Sequence, residues 1–221
     1  MRSIGKISGV EIIVQRDGSV TYHAGATIDG DGANGQFGQL PCYAPGTYQG
    51  GTLDILANAG QPGDWYGVVT DPVSGEPIMQ GAGDPCPGAY VSATALVLLG
   101  ADGSVLPDSS PFKYVDAATV PYISVPALVV EGVAGIVKGC GCRVTNSATG
   151  QSVAAVVADT GGDSHIGEIS VACARALGVP LGVSHPADGG GAPAPSILYQ
   201  IFPGVPAVVN GVTYPLQPSA S

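Results

Sequence analysis

Two carboxylates nine positions apart, Asp159 and Glu168, carry the chemistry this chain is best equipped to do. Asp159 closes the apolar run Val153-Ala-Ala-Val-Val-Ala158 and is followed by Thr160-Gly161-Gly162-Asp163-Ser164-His165-Ile166-Gly167, after which Glu168 opens a second apolar pattern. Cleaving a sugar–sugar bond needs a carboxylic acid to protonate the leaving oxygen and a carboxylate to activate water or attack carbon. Two acids facing each other across a groove would supply both. Each also has a local reason for its place: aspartate favours strand-to-turn junctions through its own turn hydrogen bonds, and glutamate favours a first helical turn through the dipole.

The elements that position the pair follow from the same stretch. A short β-branched run stopped by Asp-Thr-Gly-Gly predicts a buried strand over 153–158 with Asp159 at its end. Glu168, Ile169, Ala172, Cys173, Ala176 and Leu177 recur at helical spacing, and Gly178 and Pro180 supply a stop. That predicts a helix over 168–177 with Glu168 at or near its first turn. Val-rich runs at 10–14, 66–70, 95–99, 127–130, 197–202 and 205–209 read as further strands, and a helical turn is expected around 52–59. With 35 Gly, 19 Pro and 11% charged residues among 221, the composition predicts a mainly β chain of short strands and many turns, in one domain able to bury a core. Residues 183–196 read as a surface loop, and the last six or so as frayed.

Asp159 to Ser170, followed by Ala174-Arg-Ala-Leu-Gly178, resembles the aspartate, glycine-rich turn, Ile-Gly-Glu-x-Ser and Ala-x-x-Leu-Gly signature of the family 75 glycoside hydrolases, the chitosanases first known from fungi. Further motifs follow in the family's order: Ala26-Thr-Ile-Asp29-Gly-Asp31-Gly32, Leu53-Asp-Ile-Leu-Ala-Asn-Ala59, Trp65-Tyr-Gly-Val-Val-Thr-Asp71, Asp84-Pro-Cys-Pro-Gly-Ala-Tyr-Val-Ser-Ala-Thr94, Tyr114-Val-Asp116, Val120-Pro-Tyr-Ile123 and Tyr199-Gln-Ile-Phe-Pro-Gly204. The resemblance covers about 20–205 of a single domain, 1–221, in which 206–221 reads as a C-terminal strand and tail. It departs from the family at Gly161-Gly162-Asp163, where Gly-Pro is usual, and at Ile169, where glycine is usual.

The resemblance implies a small six-stranded β-barrel of the double-psi kind with a short helix behind the catalytic motif. It also implies endo-acting hydrolysis of β-1,4 bonds in chitosan with inversion, Asp159 and Glu168 being the catalytic pair, and an extracellular location. No signal peptide is legible at the N-terminus, where Arg2 and Lys6 are followed by no apolar core. Glu168 takes the acid's role and Asp159 the base's, provided that burial beside Ile166 and Ile169 outweighs the helix dipole. Asp29, Asp31, Trp65, Asp71, Asp84, Thr94, Asp116 and His165 are the candidate substrate-binding residues. Trp65 reads equally well as core, and His165 as a solvated turn residue.

Seven Lys and Arg against seventeen Asp and Glu give a formal charge of −10. An acidic groove would concentrate a polycation such as chitosan, although acidic surfaces also serve solubility. The same sign argues against nucleic acid and anionic membrane surfaces as partners, and no apolar run reaches the roughly 18 residues of a membrane span. No cofactor or metal is expected. Gly30-Asp-Gly32-Ala-Asn-Gly35 imitates a dinucleotide fingerprint, but Asp31 would face the phosphate and Gly38, Pro41 and Pro45 forbid the helix. Asp29-x-Asp31 begins like a calcium loop, yet Ala33 and Leu40 stand where oxygen ligands are needed. Ala158-Asp-Thr-Gly161 imitates an aspartic protease, whose second aspartate only a symmetric dimer could supply. Five cysteines, Cys42, Cys86, Cys140, Cys142 and Cys173, leave at least one unpaired in a monomer, and Cys140-Gly-Cys142 reads as structural or disulfide rather than as zinc ligands. Two other functions compete with chitosan hydrolysis: cleavage of peptidoglycan or another amino-sugar glycan, and non-catalytic glycan binding in the same groove.

Overall fold

The computed structural model describes residues 1–35, 65, 67–161, 166–181 and 191–218. Its strands are β1 (Arg2–Ile7), β2 (Val10–Val14), β3 (Val20–Asp29), β4 (Tyr122–Pro126), β5 (Cys140–Asn146), β6 (Ser152–Gly161), β7 (Glu168–Ser170), β8 (Ala192–Val209) and β9 (Val212–Tyr214). Two short helices, α1 (Ala127–Gly132) and α2 (Val171–Ala176), complete the described elements apart from a single 3-10 turn at Pro111–Lys113.

Strand β3 shows how the sequence makes a barrel wall. Val20, Tyr22, Ala24, Ala26 and Ile28 are buried, whereas Thr21, His23, Gly25 and Thr27 are not, which is the period-2 alternation of a strand with one face on the core. Side by side the strands run β3-β7-β4-β6-β5-β8, and β8 pairs back onto β3, closing a six-stranded barrel. Closure leaves those six strands no free edge. The β1–β2 hairpin extends the start of β3, and β9 extends the end of β8. Tyr22 and Tyr199, directly opposite on β3 and β8, stack with ring centroids 4.7 Å apart. Such a pair adds about 0.5–1.5 kcal/mol beyond its buried area. Ile28, Ile169, Ile123 and Val157 form one fully buried row across β3, β7, β4 and β6.

Residues 67–120 contribute no strand. Single bridges hold them, Val68 to Ser92, Thr70 to Pro77, Met79 to Tyr90 and Val97 to Tyr114, around a small cluster of Val69, Val91 and Tyr114. This segment is fastened to the barrel where β3 and β6 end: Gly32 N donates to Ser92 Oγ (2.9 Å), Ser92 N to Asn34 Oδ1 (2.7 Å) and Leu96 N to Ala158 O (2.7 Å). No helix among the described residues is long and apolar enough to cross a membrane.

The mainly β barrel with a short helix after the Glu168 motif matches the sequence expectation, and several local expectations are corrected, among them the surface loop over 183–196, whose residues 192–196 open β8. Glu168 lies in strand β7, and the helix begins only at Val171. The apparent helical period includes Ile169 because that side chain fills the barrel interior, while Ser170 is the true N-cap, its Oγ accepting from Cys173 N at 3.1 Å. Residues 127–130 are helical, with Val129 buried and Leu128 exposed; packing of one face overrides β-branched propensity there. The described part of the first run, 67–70, and the run at 95–99 make only isolated bridges, and those at 197–202 and 205–209 belong to one strand that changes partner, from β3 to β9. The tail is tied down at Gln217, whose side chain accepts from Val97 N (3.1 Å) and donates to Val97 O (2.6 Å). Residues 52–59 lie outside the described residues.

Candidate active site

Ser124, in the middle of β4, is in register with Glu168 on one side and with Asp159 on the other. Adjacent strands lie about 4.8 Å apart, so the two acids have their Cα atoms about 10 Å apart with the serine between them. Asp159 reaches this position through a register shift: Ile123 pairs with Val157 and Ser124 with Asp159, leaving Ala158 as an extra residue. Such bulges re-aim side chains where a ladder must yield a functional group. The segment beside β6 satisfies the displaced backbone and clamps the acid. Leu96 N bonds Ala158 O at 2.7 Å, and Ala95 N donates to Asp159 Oδ1 at 2.8 Å.

Glu168 is 7% exposed. Gly161 passes over it so closely that a Cβ there would lie 2.9 Å from Glu168 Oε2 and 3.3 Å from Ser124 Oγ. Because α2 starts three residues later, Glu168 is outside the first turn, where the dipole acts.

Asp29 and Asp31 join the site from the end of β3. Carboxylate oxygens of Asp29, Asp31 and Asp159 all lie within 4.8 Å of one another. Asp31 N donates to Asp29 Oδ1 at 2.7 Å, which folds the turn and brings both acids inward. Gly67 backs Asp31; a Cβ on it would fall 2.1 Å from Asp31 Oδ1, and its φ of +63° also favours glycine. Beneath them, the fully buried Tyr122 donates to the Asp31 carbonyl at 3.0 Å and borders the Asp29 carboxylate. Burial, and then the charges of Asp29, Asp31 and Asp159, push the Tyr122 phenol well above its ordinary range, so it remains a neutral donor. Of the described residues, these three aspartates are the set that could hold a metal ion. An all-oxygen set suits a hard cation, which takes six or more oxygens, about twice what three monodentate carboxylates offer.

The other expected residues have different surroundings. Trp65 is partly buried, its ring tilted against Tyr90 at 5.3 Å, two positions before Gly67. Thr94 is buried, and its hydroxyl accepts from Val115 N (3.0 Å) and donates to Leu96 O (2.9 Å), holding the segment whose Ala95 N reaches Asp159. Asp71 Oδ1 accepts from Val73 N, Ser74 N and Ser74 Oγ, and these bonds hold the carboxyl below its usual range. Asp84 Oδ2 accepts from Gly81 N at 2.7 Å. Asp116 is 5% exposed and binds Ala118 N and Thr119 Oγ1, both at 3.0 Å; burial raises its pKa despite these bonds. These three side chains therefore serve their own turns. His165 lies outside the described residues.

Tyr122 and Ser124 are the site residues that sequence reasoning missed. Their signal was a serine and a tyrosine alternating with Ile123 and Val125 in a short proline-bounded run, polar atoms in a strand otherwise fit for burial. Cys86 is disulfide-bonded, whereas Cys140, Cys142 and Cys173 are buried free thiols, so the Cys-x-Cys pair is part of the core. No protein-family model matches this chain, and no curated protein matches it.

Proposed function

We propose that the chain is a glycoside hydrolase that cleaves β-1,4 bonds of chitosan with inversion, Asp159 and Glu168 forming the acid–base pair. One observation carries the proposal: the two carboxylates flank Ser124 in register on three neighbouring strands, one buried and one partly exposed. A Cα separation of about 10 Å suits the roughly 6.5–9.5 Å between carboxyls that leaves room for a water in inverting enzymes. Glu168 takes the acid's role in this reading: it is buried in β7 under Gly161, and it lies outside the first turn of α2. Asp159, partly exposed and taking the Ala95 N–H, suits the ionised base. Asp29 and Asp31 add negative charge beside the base, where an amine-bearing sugar would gain most from it. The resemblance of the motif order to that of the family 75 chitosanases supports the same substrate.

The balance of the step is simple. Water attacks the anomeric carbon and gives a proton to Asp159, the glycosidic C–O bond breaks, and Glu168 protonates the departing oxygen. Reducing-end release from chitosan, with cell-wall glycan assayed in parallel, is the test. Release from chitosan is expected; release only from cell-wall glycan moves the substrate to peptidoglycan, and binding without release makes the chain a glycan-binding module.

A further inference from the structure

We infer that Ser124 is a third catalytic residue, its hydroxyl holding the reacting water between Asp159 and Glu168; the inference rests on the hydrolase reading above. Ser124 is 2% exposed, and its Oγ makes no hydrogen bond among the described residues. An unsatisfied buried hydroxyl destabilises a fold, so alanine would serve the fold better at this position. Gly161, having no Cβ, packs close over both oxygens; a Cβ there would lie 3.3 Å from Ser124 Oγ and 2.9 Å from Glu168 Oε2. The strands on either side put a carboxylate in register with the serine on each flank. A water there would donate one hydrogen to Asp159 and the other to Ser124 Oγ, leaving a lone pair for the anomeric carbon. The serine itself gains or loses no proton overall.

Ser124→Ala separates this role from a structural one. The expected result is a kcat lower by about 10- to 100-fold, the range that loss of positioning gives, with KM within about twofold and a melting temperature equal or higher. Gly161→Ala, which puts a methyl between the two oxygens, should reproduce the kcat loss. An unchanged kcat in Ser124→Ala overturns the inference and leaves the hydrolase reading standing. A lowered melting temperature with kcat intact, or failure to fold, also overturns it, because the hydroxyl then serves the structure. No release of reducing ends by the wild type would remove the hydrolase reading and this inference together.

Discussion

The aspartates at the ends of β3 and β6 and those at residues 71, 84 and 116 carry the same carboxyl group in very different company. Asp71, Asp84 and Asp116 sit in turns, and each takes N–H groups from residues within three positions along the chain. Asp29, Asp31 and Asp159 come from two strand ends far apart in sequence, yet their oxygens fall within 4.8 Å of one another. Like charges this close repel unless a ligand, a proton or a cation offsets them. The barrel forces the approach by joining β3 and β6 through β7 and β4, and Gly67 and Tyr122 maintain it. A turn aspartate is thus explained by its own neighbours; Asp29 has such a turn bond too, but the meeting of three acids from two strand ends is not a local matter.

The sharpest way to break this contrast is to neutralise acids in both regions. Asp159→Asn and Glu168→Gln should each lower kcat on chitosan by about 10²- to 10⁴-fold, the usual worth of a general acid or base. Asp71→Asn and Asp84→Asn should stay within about twofold of wild type in the same assay, a margin below 0.5 kcal/mol. Comparable losses in both sets would erase the distinction.

Glycines backing the two regions give the next largest effect. Gly67 and Gly75 both have positive φ, +63° and +72°, but a Cβ at 75 meets nothing within 4 Å while one at 67 strikes the Asp31 carboxylate. Gly75→Ala should cost about 1 kcal/mol of backbone strain, and Gly67→Ala about 2–4 kcal/mol from strain plus displacement of the acid. Denaturant unfolding measures both; equal losses would mean that Asp31 is not held against Gly67.

Substrate attraction is smaller and salt-dependent. Asp29→Asn keeps an oxygen for the Asp31 N–H but loses the charge, so KM for chitosan should rise severalfold at low ionic strength and converge on the wild-type value at high salt. A rise independent of salt would point to folding instead.

Asp116 gives the smallest effect. Its pKa is raised in the fold, so the folded state holds the proton more tightly than the unfolded chain does. Its contribution to stability is complete below the ordinary value of 3.8 and is lost as pH rises through the raised one. Asp116→Asn should remove that slope, giving a melting temperature slightly above wild type at neutral pH, with the advantage shrinking on acidification. A variant that loses stability at neutral pH would show that the charged form is the one the turn needs.

How much of this was legible in the sequence depends on where each strand's partners lie. Strand β6 was readable because Val153–Ala158 is a continuous apolar run of valine and alanine. Strands β3, β4, β5 and β7 were not among the runs read as strands. In β3 and β5 the buried Ala24, Ala26 and Cys142 are small and the outward Thr21, His23, Thr27, Arg143 and Thr145 are polar, so no hydrophobic run marks those strands, while β4 and β7 are only five and three residues long. The barrel type came from resemblance rather than from periodicity. Glu168 was misplaced into a helix because three residues of strand merge with a six-residue helix behind them, and only β3 and β4 on either side define the strand. The acids were visible as residues. Nothing local separated Asp29 from Asp71, since both begin turns and the difference is made by β6 arriving more than a hundred residues later.

The pairing of Asp159 as base with Glu168 as acid is tested most directly by rescue with azide. In Asp159→Ala, azide should restore turnover on chitosan and yield a glycosyl azide of inverted configuration, because the anion replaces the water that the missing base would have activated. In Glu168→Ala it should do nothing comparable on the natural polymer. Rescue confined to Glu168→Ala would reverse the two roles, and wild-type turnover in both variants without azide would contradict the pair itself.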